Sequence, residues 1–138
     1  MKRVTSLGGI FFKTKDPDAM KQWYSKHLGL NTDQYGTSFE WRHSGDPGKK
    51  GFTAWSTFKE STDYFLPSQK EFLVNFRVAD LEGLLAVLKT EGIEQVGELQ
   101  SFEYGKFAHI MDPEGNKIEL WEPVDDEYEK MTTGKTTY

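Results

Sequence analysis

Cysteine is absent from the 138 residues of this chain. Its absence excludes disulfides, thiolate-ligated zinc, iron–sulfur clusters and a cysteine nucleophile, and it fits the reducing cytoplasm expected as the protein's location. Long apolar runs are missing too. The opening MKRVTSLGGIFFKTKDPD holds no stretch suited to a signal peptide, and nothing approaches the ~20 apolar residues of a spanning helix, so no membrane partner is expected. Positive charge is in deficit, with 17 Lys and Arg against 22 Asp and Glu and a net charge of −5. That balance argues against nucleic acid, whose phosphates call for a basic face. There is no P-loop, dinucleotide fingerprint, EF-hand or Ser-His-Asp order. Gly8-Gly9 falls inside a strand, where glycine allows close packing or leaves room for a ligand. What the chain does have is rings. Aromatics make up 14% of a length suited to one domain, enough to line a core or a pocket.

Hydrophobic period sets the elements. Residues 8–15 read as a strand with Ile10 and Phe12 on one face and Gly9, Phe11 and Lys13 on the other. Asp16-Pro17-Asp18 then forms a helix start, with Asp16 as N-cap and Pro17 in the first helical position. The helix is expected over 17–28 and stops at Gly29. Extended pieces follow at 31–36, 38–44 and 51–58. From Glu71 to Ala79 the pattern alternates again, placing Leu73, Asn75 and Arg77 on one face. Asp80 caps a second helix with the stripe Leu81, Leu84, Leu85 and Leu88, and strands are expected near 94–100, 101–111 and 116–122.

The two halves repeat. Asp16 and Asp80 lie 64 residues apart, and at that offset Phe12 meets Phe76, Lys13 meets Arg77 and Met20 meets Leu84. Neither half alone buries enough apolar surface, so the pair is expected to pack as one unit. The fold class is α+β: two βαβββ modules forming a curved mixed sheet around one cleft. Residues 1–123 are expected to be a single domain, with module 1 at about 5–58, a linker at 59–70 and module 2 at about 71–123. Residues 124–138 read as a polar, mobile tail.

With DPEGNKIEL near its end and the segments GGIFFK, NFRV and YGKF, this repeat resembles the vicinal oxygen chelate superfamily over roughly residues 5–123. That superfamily includes glyoxalase I, bleomycin-resistance proteins, fosfomycin-resistance thiol transferases and extradiol dioxygenases. The resemblance implies a divalent metal on the concave face, with ligands at Gly9, Leu73 and Glu119. Only Glu119 carries a donor atom, and catalytic sites generally need about three protein ligands. No cofactor is therefore expected, with Glu119 the sole metal candidate. The expected function is binding of a small organic ligand in an aromatic-lined cleft. The alternative is a lactoylglutathione-lyase-like, isomerase-like or thiol-transferase-like enzyme acting on a carbonyl-bearing or thiol-conjugated molecule. A structural or regulatory partner protein is the third class. The resemblance also implies a homodimer.

Strand alternation places Lys117, Glu119 and Trp121 on one face, with Ile118 and Leu120 turned to a helix. His109 and Glu119 are the candidate catalytic pair, because an imidazole carries protons near neutral pH and a nearby carboxylate favours its charged form. Either Glu119 is neutralised by Lys117, Arg77 or Lys13, or it faces a ligand. Phe11, Lys13, Trp55, Asn75, Arg77 and Trp121 are the candidate ligand-binding residues. Trp41, His43, Tyr64 and Phe65 are further candidates for the pocket wall. His27, late in its helix, is assigned a structural role.

Overall fold

Two aspartates start the two principal helices in the same way. Asp16 Oδ1 accepts from Ala19 N at 3.1 Å and Asp80 Oδ1 from Gly83 N at 3.0 Å, each satisfying a backbone donor that the first helical turn leaves free. The helices are α1 (Pro17–Leu28) and α2 (Leu81–Thr90), in a computed structural model that describes all 138 residues. Gly29, at φ 74°, ends α1 in the left-handed conformation that glycine adopts without strain.

The strands are β1 (Val4–Thr14), β2 (Thr37–His43), β3 (Asp46–Lys59), β4 (Phe72–Val78), β5 (Val96–Phe102), β6 (Gly105–Met111), β7 (Lys117–Pro123) and β8 (Thr136–Thr137), with a third helix, α3 (Asp125–Thr132), before the last. They form one mixed sheet in the order β5-β6-β7-β4-β1-β3-β2-β8. In the middle β1 and β4 run antiparallel, pairing Gly9 with Asn75, Ile10 with Val74 and Phe11 with Leu73. Ile10 and Val74 are themselves 64 residues apart, so the sequence repeat and the strand register share one local two-fold axis. The axis also relates the flanking pairs. Phe11 lies opposite Ser56 on β3 as Asn75 lies opposite Glu119 on β7. Ser56 thus holds in the first half the place that Glu119 holds in the second.

Both helices cover the convex side. Under α2, Val78, Leu81, Leu84, Ala108 and Leu120 form the buried core, with Ile110 and Ile118 against it. Under α1 the packing is aromatic, with Trp55 centred 5.6 Å from Phe12 and 4.7 Å from Tyr24. No helix is long and apolar enough to cross a membrane.

The curved α+β sheet is as the sequence predicts, with two local corrections. The extended piece expected at 31–36 is a turn. Asp33 Oδ1 accepts from Tyr35 N at 2.8 Å and Gly36 N at 3.0 Å, local bonds that compete with a sheet ladder. Its place at the sheet edge is taken by β8, which pairs Thr136 with Ser38 and Thr137 with Phe39 in parallel. The second correction follows from the first, because residues 124–138 are not a mobile tail. They form α3 and β8 and lie across the concave face. Arg77 Nη2 donates to Asp125 Oδ2 at 2.6 Å, and the Tyr128 and Ser38 hydroxyls meet at 2.5 Å. The Tyr128 ring packs 5.3 Å from Phe52 and 5.1 Å from Trp121.

Arg77 is 2% exposed. Removing its carboxylate partner leaves a charge in the interior with too little compensation, a loss of about 3 kcal/mol for comparable buried pairs. Asp125→Ala is expected to lower stability to urea by about that amount, whereas Asp126→Ala, next to it in the chain and outside this pair, is expected to change it by less than about 0.5 kcal/mol.

Candidate functional site

The concave face is built around one carboxylate. Glu119 Oε1 accepts from Asn75 Nδ2 at 2.7 Å, and Glu119 Oε2 accepts from His109 Nε2 at 2.8 Å and from the Tyr64 hydroxyl. Register explains two of these contacts, since Asn75 and His109 are the neighbours of Glu119 on β4 and β6. The third comes from outside the sheet. Tyr64 belongs to the segment between β3 and β4, and Lys117 Nζ fixes it by donating to the Tyr64 carbonyl at 2.6 Å. The Tyr64 ring stacks on Phe58 at 5.8 Å and meets His109 edge-on at 5.4 Å. The side chains of His109 and Glu119 are left only 9% and 5% exposed.

Electrostatics follow from this enclosure. Burial alone pushes the Glu119 carboxyl up, but the hydrogen bonds from His109, Tyr64 and Asn75 together outweigh it and hold the group below the usual carboxylate range. Tyr64 is pushed far up, first by burial and then by the charge of Glu119, and so keeps its hydrogen as a donor. A carboxylate has no hydrogen to give, so Nε2 of His109 carries the one that lies between them.

Beside this cluster, under α3, lies a cavity of about 490 Å³. From the sheet it is lined by Gly8, Phe11, Ala54, Asn75, Phe107 and Trp121, with Tyr104 from the β5–β6 turn. Tyr128, Met131 and Thr132 of the C-terminal helix face them, and Tyr35 and Gly36 close one side. Phe107 and Trp121 stack 5.7 Å apart at 8°. Gly8 sits where β1 slips register against β4, and a Cβ there would run into Asn75 Oδ1.

Of the sequence-predicted residues, Phe11, Trp55, Asn75 and Trp121 line this cavity together. His109 and Glu119 meet each other but lie behind Asn75 and Tyr64, outside the lining. Trp55 borders the cavity as expected, while its ring packs against Phe12 and Tyr24 beneath α1. Two expected ligand contacts, Lys13 and Arg77, lie outside the lining. Lys13 carries its Nζ 5.5 Å above the Phe65 ring, away from the cavity. Arg77 is bound to Asp125 and held between Trp41 and Trp121, at 5.0 and 5.3 Å from their ring centres. Phe65 is wholly buried. His43 packs 4.9 Å from Trp41, and His27 lies 5.0 Å from Trp23 on α1. Two features were missed from sequence: the Tyr64 hydroxyl as a lid on Glu119, and the C-terminal helix as a cavity wall. The only advance signal for the second was Tyr128 and Met131 three residues apart, on one face of any helix.

The positions that would hold a metal offer a poor donor set. Gly8, Gly9 and Leu73 have no donor side chain. Ser56, the two-fold counterpart of Glu119, gives its hydroxyl to the Tyr35 carbonyl. Glu119 already accepts three hydrogen bonds, and no group of three or more His, Asp or Glu side chains is gathered anywhere in the chain. These residues do not fit a divalent ion, which needs several free lone pairs converging at one point.

Two strand–helix units joined about a local two-fold, with an enclosed face opposite their helices, define a duplicated α+β class of protein. Residues 7–120 match the family described as the Glyoxalase/Bleomycin resistance protein/Dioxygenase superfamily, and the chain belongs to it. Among solved structures it is similar to methylmalonyl-CoA epimerase from Mycobacterium tuberculosis, at 23% identity and a TM-score of 0.60, over 91% of this chain and 92% of that one. It is also similar to a variant of Streptomyces coelicolor methylmalonyl-CoA epimerase in complex with 2-nitronate-propionyl-CoA, at 15% identity and a TM-score of 0.65, over 88% and 99%. A catechol 2,3-dioxygenase matches at 18% identity and a TM-score of 0.53, over 89% of this chain and 40% of that one. At these identities the likeness is one of fold. No curated protein sequence matches the chain.

Two outcomes follow for the cluster. Gly8→Ala is expected to displace Asn75 from Glu119 and to cost about 1–3 kcal/mol in chemical denaturation. The Glu119 carboxyl titrates lower in the folded state than in the unfolded chain, where glutamate has a pKa of about 4.3. Its contribution to stability is therefore fully present above that pH and is lost as pH falls through the folded value. Denaturation midpoints measured between pH 7 and pH 3 should show this fall in the wild type, and Glu119→Gln should lack that part of it.

Proposed function

We propose that the protein binds a small, ring-bearing organic molecule in the cavity beneath α3 and does so without a metal. The observation that carries this reading is the division of the concave face. Its one carboxylate is saturated by His109, Tyr64 and Asn75 and covered over, while a separate space lined by Phe11, Tyr104, Phe107 and Trp121 lies alongside. A volume of about 490 Å³ falls within the range usual for small-molecule sites, which are mostly apolar with a few placed polar groups. A relative of this fold has been captured with 2-nitronate-propionyl-CoA, which supports an organic ligand. On this reading His109 and Glu119 are positioning residues for the cavity floor. The alternative, acid–base chemistry by this pair on a carbonyl-bearing molecule, has their 2.8 Å contact in its favour. It requires Tyr64 to swing away so that a substrate proton comes within hydrogen-bond reach. The protein is further proposed to be cytoplasmic and to act as a homodimer.

The fluorophore 8-anilinonaphthalene-1-sulfonate tests the binding reading. The wild type is expected to bind it with quenching of tryptophan emission, and equally well after EDTA treatment. Ala54→Leu, which fills space beside Gly9, is expected to weaken binding by about tenfold or more while remaining folded. A ligand at 100 times its Kd would raise stability by roughly 2.7 kcal/mol, so the melting temperature gives a second readout. A wild type that shows no ring binding but gains melting temperature with Ni²⁺, Zn²⁺ or Mn²⁺ would overturn the proposal.

A further inference from the structure

Asn75 carries more information about the ligand than any other cavity residue. It is 1% exposed, on the central strand β4, and its carboxamide joins the buried cluster to the cavity floor. The amide has two unlike ends, an NH₂ that only donates and a C=O that only accepts. Glu119 decides which end points where. Its carboxyl is ionised at neutral pH and already takes hydrogens from His109 and Tyr64. It can therefore face only the NH₂ of Asn75, which reaches it at 2.7 Å. The C=O is forced the other way, over Gly8 at the floor of the cavity. There Oδ1 has no hydrogen-bond partner anywhere in the chain. The bare Cα of Gly8 is what permits this pose, since any side chain would displace the oxygen.

A buried acceptor without a partner costs about 1–3 kcal/mol, and that cost is recovered when something donates to it. The neighbouring walls are ring faces, Phe107 and Trp121 stacked nearly parallel and Tyr104 5.7 Å from Phe107. Flat ligands suit such walls. We infer that the ligand is a flat ring system bearing an N–H or O–H donor, and that Asn75 is the specificity-determining residue that reads that hydrogen. This inference rests on the cavity being the binding site. Ligands with only acceptors at that end are disfavoured, because their lone pairs would meet the lone pairs of Oδ1. The whole preference is imposed from behind: His109 and Tyr64 keep Glu119 an acceptor, Glu119 turns the amide, and the amide selects the donor.

Matched probes test this. Indole and 1-methylindole, and phenol and anisole, differ chiefly in whether the donor hydrogen is present. Dissociation constants by calorimetry are expected to favour indole and phenol by about tenfold or more, as a site with a buried polar group rejects analogues that leave it unpaired. The Asn75 side-chain carbonyl carbon should shift in NMR spectra with indole and not with 1-methylindole. Asn75→Leu should bring the members of each pair to equal affinity. Equal binding of both members by the wild type, or a preference for the methylated ones, would overturn this inference while leaving the binding proposal intact. Failure of all four probes to bind would overturn both.

Discussion

Three hydrogen bonds to one buried carboxylate organise the concave side of this protein. Placing the charge of Glu119 inside the fold is costly unless it is well hydrogen-bonded, and here Asn75, His109 and Tyr64 supply three donors. Each donor ties a different piece of chain to β7: the central strand β4, the hairpin strand β6 and the segment joining the two halves. The carboxylate thus does mechanically what a shared metal does in other sites, drawing separate strands to one point. Under the proposed binding function, the pair His109–Glu119, which reads from sequence as acid–base machinery, serves as support. Its groups are matched to each other and turned away from the open volume, and Asn75 is the only member of the cluster that also borders that volume.

Much of the fold was legible because duplication leaves several independent marks at one spacing. The caps Asp16 and Asp80, the pairs Phe12 with Phe76 and Lys13 with Arg77, and the strand–helix order all repeat at 64 residues. The structure adds that Ile10 and Val74, also 64 apart, lie opposite each other in the sheet. Period-two alternation correctly set Phe11, Asn75, Glu119 and Trp121 on a common face. It gave no face for Trp55, which borders the cavity while its ring packs beside Phe12 and Tyr24. It also could not reveal the bulge that turns Gly8 toward Asn75, since two glycines in a row carry no face preference. Lys13 and Arg77 share the expected face, but long cations go where partners are, and theirs are the Phe65 ring and Asp125.

The C-terminal residues were misread for a different reason. Their composition is polar, and polarity usually marks a segment with too little apolar surface to order itself. Here the ordering comes from outside the segment. A sequestered guanidinium receives Asp125, two rings receive Tyr128, and an open sheet edge receives Thr136 and Thr137. None of these sockets can be seen from the last fifteen residues themselves. Tyr64 is the parallel case in the segment between the halves: its hydroxyl is ordered by a charge 55 residues away.

The floor of the cavity and its covering helix have different origins in the chain. The floor belongs to the duplicated sheet, where each residue is locked to neighbours on both sides and a change at one position disturbs several others. The covering helix lies outside the repeat and is exposed on its far side, fastened at a handful of points. Its cavity-bordering positions, Met131 and Thr132 among them, are free to vary in size and polarity without reshaping a single strand. Evolution, or an engineer, has in that short stretch an adjustable half of the pocket: under the proposed binding function, selectivity for the far end of a ligand can drift there while the end held at Asn75 stays fixed.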